Sequence, residues 1–196
     1  MDKKISNLIK ELKKRNIEGI FCANKEKAAQ KILEIIPNGF NVGISGSKTL
    51  DELGIVKTLE LRGNKVFNRL KEGVSRADYY LASANAISES GEMVFFSAYG
   101  NRTAGIAYGK TVIIICGMNK ITPDLDSGLK RARGYVTGLN CQRLNWQSAC
   151  LKDGVCREEI CYLPEFKRMC CQILILEAEA VPERLKVILV GEDLGV

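Results

Sequence analysis

The stretch TVIIICG, residues 111–117, decides the fold class, because five apolar residues follow one another from Val112 to Cys116. A strand with one face in water alternates apolar and polar side chains, whereas an uninterrupted apolar run suits a strand that is covered on both faces. Strands of that kind are typical of parallel sheets with helices on either side. The stretch therefore predicts a central strand of an α/β protein.

Helical and strand patterns alternate on both sides of this stretch. Apolar residues at helical spacing predict helices over 1–16, 24–37, 47–63, 102–109 and 122–144. In the helix over 24–37, Asn24 is the predicted cap and Pro37 the predicted stop. Short apolar runs predict further strands over 18–23, 39–45, 65–69, 77–84, 92–98, 172–180 and 184–192. This order favours a single α/β domain over 1–196, with a largely parallel central sheet flanked by helices and a cysteine-rich loop at 149–171 near the C-terminus.

Composition limits the partners that we expect. The 196 residues are 46% hydrophobic, which is enough for a buried core, and they contain no apolar run of about 20 residues that could span a membrane. The charged first segment lacks the pattern of a secretory signal, so we expect a cytoplasmic protein without a membrane partner. The net charge of +6 is dispersed and no nucleic-acid motif is present, which favours a small anionic ligand or an acidic partner over nucleic acid.

The chain contains no histidine. A Ser-His-Asp or Cys-His relay, a zincin motif and an imidazole base are therefore excluded. Any proton transfer has to use a carboxylate, lysine, tyrosine or thiolate. The acids near candidate strand ends are Glu89, Glu92 and Asp124, and no spacing marks two of them as a catalytic pair.

The loop VGISGSKTLDEL could hold an anion where a predicted strand passes into a helix. Its glycines allow close approach of a ligand, and its hydroxyl and N–H groups are donors. Thr49 and Glu52 have the spacing of a capping box, and the spacing of a P-loop is absent. A tight turn followed by a capped helix would explain the same residues, so both interpretations stay open. The candidate ligand-binding residues of this loop are Gly43, Ser45, Gly46, Ser47 and Thr49.

A second polar loop, residues 83–109, follows another apolar strand. Open α/β sheets bind ligands beyond the carboxyl ends of their strands, and this loop places Asn85, Glu89, Asn101 and Arg102 there. Arg102 could hold a carboxylate or phosphate with two parallel hydrogen bonds. Ser, Asn and Gly are also common in turns, so a purely structural loop is the alternative.

Several ordered motifs together resemble the lactate-utilisation (LUD) domain family: VGISGSKTLDELG, SANAISESGEMV, YGNRTAGIAYG, GMNKITPDLDSGLKRAR, LNCQRLN and RLKVILVGEDLG. The resemblance covers nearly the whole chain. It implies a fold similar to the sugar-phosphate isomerase and CoA-transferase group, and a link to lactate oxidation systems whose partner proteins carry iron-sulfur clusters. It also implies one pocket built from residues 43–49 together with Asn85, Glu89, Asn101, Arg102, Asn119, Lys120 and Asp124.

The tail resembles family members that carry a Cys, then Gly-x-Cys-x-x-Cys, then a Pro followed by Arg-x-Cys-Asn. In this chain Cys150, Cys156, Cys161 and Cys170 match that order, but four residues separate Cys156 from Cys161, and Cys171 replaces the Asn. We expect these four thiols to hold an iron-sulfur cluster; zinc is the alternative, and redox-active or merely buried thiols are a third.

The other cysteines are assigned separately. Cys22 and Cys116 lie in apolar strands and are predicted to be core residues. The sequence leaves the roles of Cys141 and Cys171 open.

Two classes of function follow. The first is a redox protein or enzyme subunit that binds a small anionic metabolite, such as a 2-hydroxy or 2-oxo acid, near the thiol centre and exchanges electrons with a partner protein. The second is a regulatory module that binds a metabolite or nucleotide and has a structural zinc or thiol site. A homo-oligomer is compatible with either class.

Overall fold

The computed structural model describes residues 2–68 and 77–196, and its central sheet consists of parallel strands in the order β1-β10-β7-β4-β2-β3. These strands are β1 (Glu18–Cys22), β2 (Asn41–Ile44), β3 (Lys65–Asn68), β4 (Tyr79–Ala82), β7 (Thr111–Gly117) and β10 (Leu185–Val190). The predicted α/β class with a parallel central sheet is confirmed. Arg69, the last residue of the strand predicted over 65–69, lies outside the described residues.

The apolar run that predicted β7 is buried on both faces. Val112, Ile114 and Cys116 contact one core, while Ile113 and Ile115 contact the other. This alternation follows from the two-residue repeat of a strand, and it explains why no polar residue interrupts the run. Cys116 is a core residue, as predicted.

Helices cover one face of the central sheet and a mixed layer covers the other. On the first face, α2 (Lys25–Ile35), α3 (Lys48–Leu53) and α4 (Ile55–Leu61) bury Ile32, Leu50 and Leu59. On the second face, α1 (Lys3–Lys14) and α5 (Asn101–Tyr108) lie beside a smaller sheet. The predicted cap of α2 is confirmed, because the Asn24 side chain accepts a hydrogen bond from the Lys27 amide at 2.9 Å.

The smaller sheet has the strand order β8-β5-β6-β9, with β6 antiparallel to both of its neighbours. Its strands are β5 (Ala86–Ser88), β6 (Met93–Ser97), β8 (Ile121–Thr122) and β9 (Gln172–Leu176). One face packs on the central sheet, and the other packs beneath α6 (Leu125–Arg131) and the π-helical segment that follows it (Ala132–Val136). Sequence analysis missed β5 and β8, and it extended the strand at 172–180 four residues too far.

The long helix predicted over 122–144 is present, with a wider turn in its middle. It comprises α6 (Leu125–Arg131), a π-helical segment (Ala132–Val136) and α7 (Thr137–Arg143). The Thr137 hydroxyl donates to the Ala132 carbonyl at 2.8 Å, across the π-helical segment. Single π-helical turns are frequent at functional sites, and here the segment ends at a residue that lines a cavity.

The capping box predicted at the start of α3 is wrong. Thr49 and Glu52 were interpreted as a capping box, but the cap of α3 is Ser47, whose hydroxyl accepts from the Leu50 amide at 3.4 Å. Thr49 lies inside the helix, and its buried hydroxyl accepts a hydrogen bond from Lys120 instead.

In the described ranges, no helix combines the length and the apolar character needed to cross a bilayer.

Candidate functional site

Three neighbouring strands of the central sheet end at one edge, and their loops form the site. Ser45 to Ser47 follow β2, Ser83 to Asn85 follow β4, and a turn ending at Lys120 follows β7. Because the strands are parallel and adjacent, their carboxyl ends meet, which is where open α/β sheets place ligands. The structure thus brings the two polar loops of the sequence analysis together.

The larger of two cavities at this edge has a volume of about 290 Å³. The strand-end loops supply Ser45, Gly46 and Asn85, and α7 supplies Thr137, Asn140 and Arg143. The end of β6, the loop after it and the start of α5 supply Ser97, Ala98, Tyr99, Asn101 and Arg102. Met169 and Cys170 also line the cavity. A cavity of this size suits a small metabolite, and the cysteine-rich loop lines one of its sides. We call it the outer cavity.

A smaller inner cavity of about 30 Å³ lies on the sheet side, and it has several walls in common with the outer cavity. Ser47, Thr49, Ser83 and Lys120 line only the inner cavity. The walls that both cavities use are Gly46, Asn85, Arg102 and Asn140. A ligand that spans the two cavities would therefore pass Arg102 and Asn85.

Arg102 is fixed by neutral partners. Its guanidinium donates to the Ser45 hydroxyl and the Asn85 side-chain oxygen, each at 3.3 Å, and to the carbonyls of Phe96 at 3.0 Å and Gly46 at 3.1 Å. These four bonds use four of the five N–H groups of an arginine. The sequence suggested that Arg102 could hold a carboxylate or phosphate with two parallel hydrogen bonds. In the structure most of its N–H groups hold the two loops together, and Arg102 lines both cavities.

Lys120 is almost fully buried, and hydroxyl groups are its partners. Its ammonium nitrogen lies 2.7 Å from the Thr49 hydroxyl and 2.6 Å from the Ser83 hydroxyl. Burial, together with the charges of Arg131 and Arg102, lowers the pKa of Lys120 to about 8. The Cys116 thiol and Glu52 act in the opposite direction but do not offset the burial.

The site has an excess of positive charge. Arg131 donates to the backbone carbonyls of Asn119 at 3.0 Å and Asn85 at 2.5 Å. Within the described part of the chain, Arg102, Lys120 and Arg131 form no salt bridge, whereas most other buried or half-buried cations, such as Arg15 and Arg184, are paired with a carboxylate. Buried charges usually have a partner of opposite sign, so the arrangement is suited to an anion.

The cysteines of the C-terminal region are close in space. Cys150, Cys161 and Cys170 are buried, and Cys156 is half-buried. Burial raises the pKa of the Cys156 thiol, and neighbouring Cys150 and Cys161 raise it further. The Ala149 amide donates to the Cys161 sulfur at 3.4 Å. Across the described ranges, no set of three or more cysteine, aspartate or glutamate side chains is arranged around a single metal ion.

The sequence left the role of Cys141 open. In the structure this residue, on α7, lies in the same cluster of cysteines. Burial and the proximity of Cys150 raise the pKa of the Cys141 thiol to about 12, and its sulfur is 3.9 Å from the Met169 sulfur. Cys171 is exposed, and its thiol donates to the Arg168 carbonyl at 3.0 Å, directly before β9. Cys22 is buried in the core, as predicted.

Two arginines accompany the cysteine cluster. Arg168 pairs with Glu158 at 2.6 Å, stacks over the Tyr162 ring at 4.5 Å, and has one buried nitrogen, Nη1, without a hydrogen-bond partner among the described residues. Its charge lowers the pKa of Cys170, against the larger effect of burial. Arg133 pairs with Glu158 at 2.8 Å.

The remaining predicted site residues lie at several places. Asn101 lines the outer cavity, and Ser47 lines the inner one. Gly43 lies within β2, and Glu89 forms a surface ion pair with Lys4 at 2.9 Å. Two others stabilise the loops around the site: Asn119 accepts from the Leu194 amide at 3.2 Å, and Asp124 caps α6 through the Ser127 amide at 2.7 Å.

Sequence analysis missed the contribution of α7. Thr137, Asn140 and Leu144 are spaced three and four residues apart, so they share one face of the helix, and all three line the outer cavity. The polar pair Thr137 and Asn140, three residues apart on the predicted helix, was the available signal. Tyr99 and Trp146, whose rings are 5.7 Å apart, had no such signal because they come from loops.

The fold and the site together define the class of protein. It is an α/β protein whose strand ends carry a cavity of small-molecule size lined by cationic side chains. The model of the LUD domain family matches residues 5–190. The chain belongs to the LUD domain family, which confirms the family that the motifs indicated.

Solved structures agree with this at the level of the fold. A DUF162 family protein from Deinococcus radiodurans is 12% identical, with 96% of each chain covered and a TM-score of 0.59. More partial similarities include ribose 5 phosphate isomerase A from Neisseria gonorrhoeae, 18% identical over 52% of this chain and 54% of that one, TM-score 0.37. Another is eIF2B beta from Chaetomium thermophilum, 21% identical over 51% and 39%, TM-score 0.39. A search of curated proteins finds no match.

Proposed function

We propose that this LUD domain binds a small anionic metabolite, of the 2-hydroxy or 2-oxo acid class, beside a cysteine-ligated iron-sulfur centre, and that it acts in redox metabolism such as lactate utilisation. The observation that carries the proposal is the shared cavity: Arg102 and Cys170 line the same 290 Å³ space. An anion held at Arg102 would lie next to the thiol centre.

Charge supports the metabolite part of the proposal. Arg102 and Arg131 contact Asn85, and Lys120 contacts Ser83 in the same loop. None of the three has a carboxylate partner in the described part of the chain. A small acid would supply the missing negative charge, and the serine, threonine and asparagine groups of the walls could hold its oxygens. The volume of the outer cavity leaves space for a molecule of few heavy atoms.

The chemistry of the four cysteines supports the iron-sulfur part of the proposal. Cys150, Cys156, Cys161 and Cys170 would be the ligands, since cluster iron is commonly held by four thiolates and the chain offers no histidine. Hydrogen bonds and cations near the sulfurs stabilise a negatively charged cluster. The Ala149 amide, Arg133 and the unpartnered Nη1 of Arg168 are such groups. When bound, a cluster would supply one-electron transfer.

The test is spectroscopy on protein purified without oxygen. We expect a brown protein with a visible absorbance band that dithionite bleaches, with iron and acid-labile sulfide in comparable amounts per chain. Lactate and pyruvate are then titrated by calorimetry, with the uncharged analogue lactamide as the control. We expect binding of the acids and at least a tenfold weaker binding of the amide, because the amide cannot pair with Arg102.

Other outcomes would replace the proposal. A colourless protein with one zinc ion per chain would favour the regulatory module with a structural metal. A protein with neither metal nor sulfide would leave only thiol chemistry for the cysteines. Equal affinity for lactate and lactamide would remove the anionic metabolite.

A further inference from the structure

We propose that Lys120 is a nucleophilic amine that forms a Schiff base with the carbonyl group of a small 2-oxo acid held in the two cavities. The class of ligand rests on the proposed function. The assignment of Lys120 rests on its own surroundings, which differ from those of a lysine that only contributes charge.

The hydrogen bonds of Lys120 match a neutral amine. An ammonium group has three N–H donors and a neutral amine has two. Lys120 has two acceptors within the described residues, the Thr49 and Ser83 hydroxyls, at 2.7 and 2.6 Å. These two acceptors satisfy both N–H groups of the neutral amine, so the reactive form needs no further acceptor.

The hydroxyls leave the lone pair of the amine free. Thr49 donates its own proton to the Ser83 oxygen at 3.2 Å, and Ser83 donates to the Ala84 carbonyl at 3.4 Å. Neither hydroxyl proton is therefore directed at the Lys120 nitrogen. With two N–H groups used as donors, the lone pair occupies the remaining direction, and Lys120 forms part of the wall of the inner cavity.

The charges near Lys120 favour the reactive form. Lysines become nucleophilic when they are desolvated or lie near another cation, and Lys120 is 3% exposed with Arg131 and Arg102 nearby. With its pKa near 8, roughly a tenth of the amine is neutral at pH 7, compared with less than a thousandth for an ordinary lysine.

The cavities can orient a 2-oxo acid for attack. Arg102 and Asn85 line both cavities, so a carboxylate placed there leaves the adjacent carbonyl directed at the inner cavity. The inner cavity, about 30 Å³, has room for a group of about the size of one water molecule. A carbonyl oxygen, and later the water that it becomes, is of that size.

The step is balanced without any co-reactant. The nitrogen lone pair attacks the carbonyl carbon, the carbon–oxygen π electrons move to oxygen, and a proton transferred from nitrogen gives a carbinolamine. The oxygen then takes a second proton and leaves as water, while the nitrogen lone pair forms the carbon–nitrogen double bond. The remaining N–H of the nitrogen releases a proton that replaces the one consumed, so the products are the neutral imine and water. The Thr49 and Ser83 hydroxyls contact the nitrogen throughout and can pass these protons.

Borohydride trapping tests the proposal. Wild-type protein is incubated with pyruvate at pH 8, reduced with sodium borohydride, and examined by intact mass and by peptide mapping. We expect one reduced adduct per chain, on the peptide that contains Lys120. Lys120→Met should lose at least nine-tenths of the adduct, and Lys57→Met, which removes an exposed lysine on α4, should leave it unchanged.

A second readout follows from the imine itself, which acidifies the neighbouring carbon. In D₂O, wild-type protein should exchange the methyl protons of pyruvate at least tenfold faster than Lys120→Met, as measured by proton NMR. Peptide mapping needs only the wild-type chain, so a variant that fails to fold does not prevent a decision.

Three results would overturn the proposal, and they are distinguishable. Pyruvate binding in calorimetry without a trapped adduct leaves the proposed metabolite site in place and reduces Lys120 to a charged anchor. Adducts spread over exposed lysines, and retained in Lys120→Met, show nonspecific chemistry. Absence of both binding and adduct removes the Schiff base together with the proposed 2-oxo acid site.

Discussion

The two sides of the outer cavity are built in opposite ways. On the strand-end side, polar groups such as Ser45 and Asn85 lie above a core of fully buried apolar side chains that includes Leu81 and Ile115. On the side of the cysteine segment, residues 149–171, the buried groups are mainly thiols, while several large apolar side chains are exposed: Val155, Ile160, Tyr162 and Leu163.

The strand-end side and the cysteine segment differ in the source of their stability. The strand-end side gains its stability from apolar burial, which does not depend on any ligand. The cysteine segment is held by ion pairs such as Arg157 with Asp153 at 2.5 Å, and exposed pairs contribute little. We therefore expect the stability of this segment to depend on the chemical state of its thiols, because a bound metal centre would contribute to its folding.

The largest expected effect is on metal content. Changing Cys150, Cys156, Cys161 or Cys170 singly to Ser should remove most of the iron and sulfide, because a hydroxyl is a poorer ligand for this centre than a thiolate. Limited proteolysis should then cut within 149–171 and leave the α/β core intact. Cys22→Ser and Cys171→Ser are the controls and should keep the iron. Equal iron in all six variants would contradict the ligand set.

Arg102→Ala should affect both ligand binding and stability on the strand-end side. Loss of the charge should weaken binding of an anionic ligand about a hundredfold. Loss of four hydrogen bonds should also lower the free energy of unfolding by about 2–4 kcal/mol, because the Gly46 and Phe96 carbonyls lose their donor. Calorimetry and urea unfolding measure the two effects.

Arg62→Ala is the matched control for Arg102→Ala. Arg62 also joins two segments, through Asn38 at 2.7 Å and the Leu33 carbonyl at 2.9 Å, but it lies away from the cavities. It should lower stability without any change in ligand affinity. A variant of Arg102 that binds anions normally would assign this arginine to the fold alone.

The stability of the strand-end side should depend on pH, because burial lowers the pKa of Lys120. The folded chain holds the pKa of Lys120 at about 8, below its ordinary value of 10.5, so the unfolded chain binds more protons between these values. The stability of the wild type should therefore rise with pH across pH 8 to 10.5, and the penalty should be fully present below pH 8. Cys116, Arg131, Arg102 and Glu52 are the ionisable groups that act on it.

The measurement is the difference between wild type and Lys120→Met in urea unfolding at several pH values. The wild type should gain up to about 3 kcal/mol relative to the variant over this range. Parallel curves for the two proteins would show that burial does not lower the pKa of Lys120.

The smallest effect concerns the contact between α7 and the cysteine segment. A Cβ at Gly138 would overlap the Gly154 carbonyl, so Gly138→Ala should push the segment away from the helix and cost about 1–3 kcal/mol. Gly134→Ala, in the same helical run with nothing within 4 Å of the new carbon, should be neutral or stabilising. Thermal unfolding of both variants checks the pair, and equal melting temperatures would contradict the close contact.

Much of the fold was predictable because its signals are local. The apolar run of β7, the cap at Asn24 and the polar loop ends each express their structure in consecutive residues. The strands β5 and β8 were missed because three and two residues are too short to show a period. Thr49 was misassigned because either Ser47 or Thr49 could cap a helix by sequence, and packing decides between them.

The candidate site was predictable only in part, because local signals locate some of its residues while the packing of distant segments places the others. Ser45, Asn85 and Arg102 follow strands and could be found by position. The contribution of Arg131 depends on how α6 packs over the smaller sheet, and that of Cys141 depends on how α7 meets the cysteine segment; no local pattern encodes either contact. The neutral partners of Lys120 likewise come from two other loops.

Trp146 gives the molecule a built-in optical reporter. It is the only tryptophan in the chain, it lines the outer cavity, and its indole donates to the Lys167 carbonyl at 2.6 Å. Intrinsic fluorescence excited at the red edge of the protein band therefore arises from one point, between the cation that would hold a ligand and the segment that would hold a metal. Occupancy of either neighbour can be followed in unlabelled protein by emission alone.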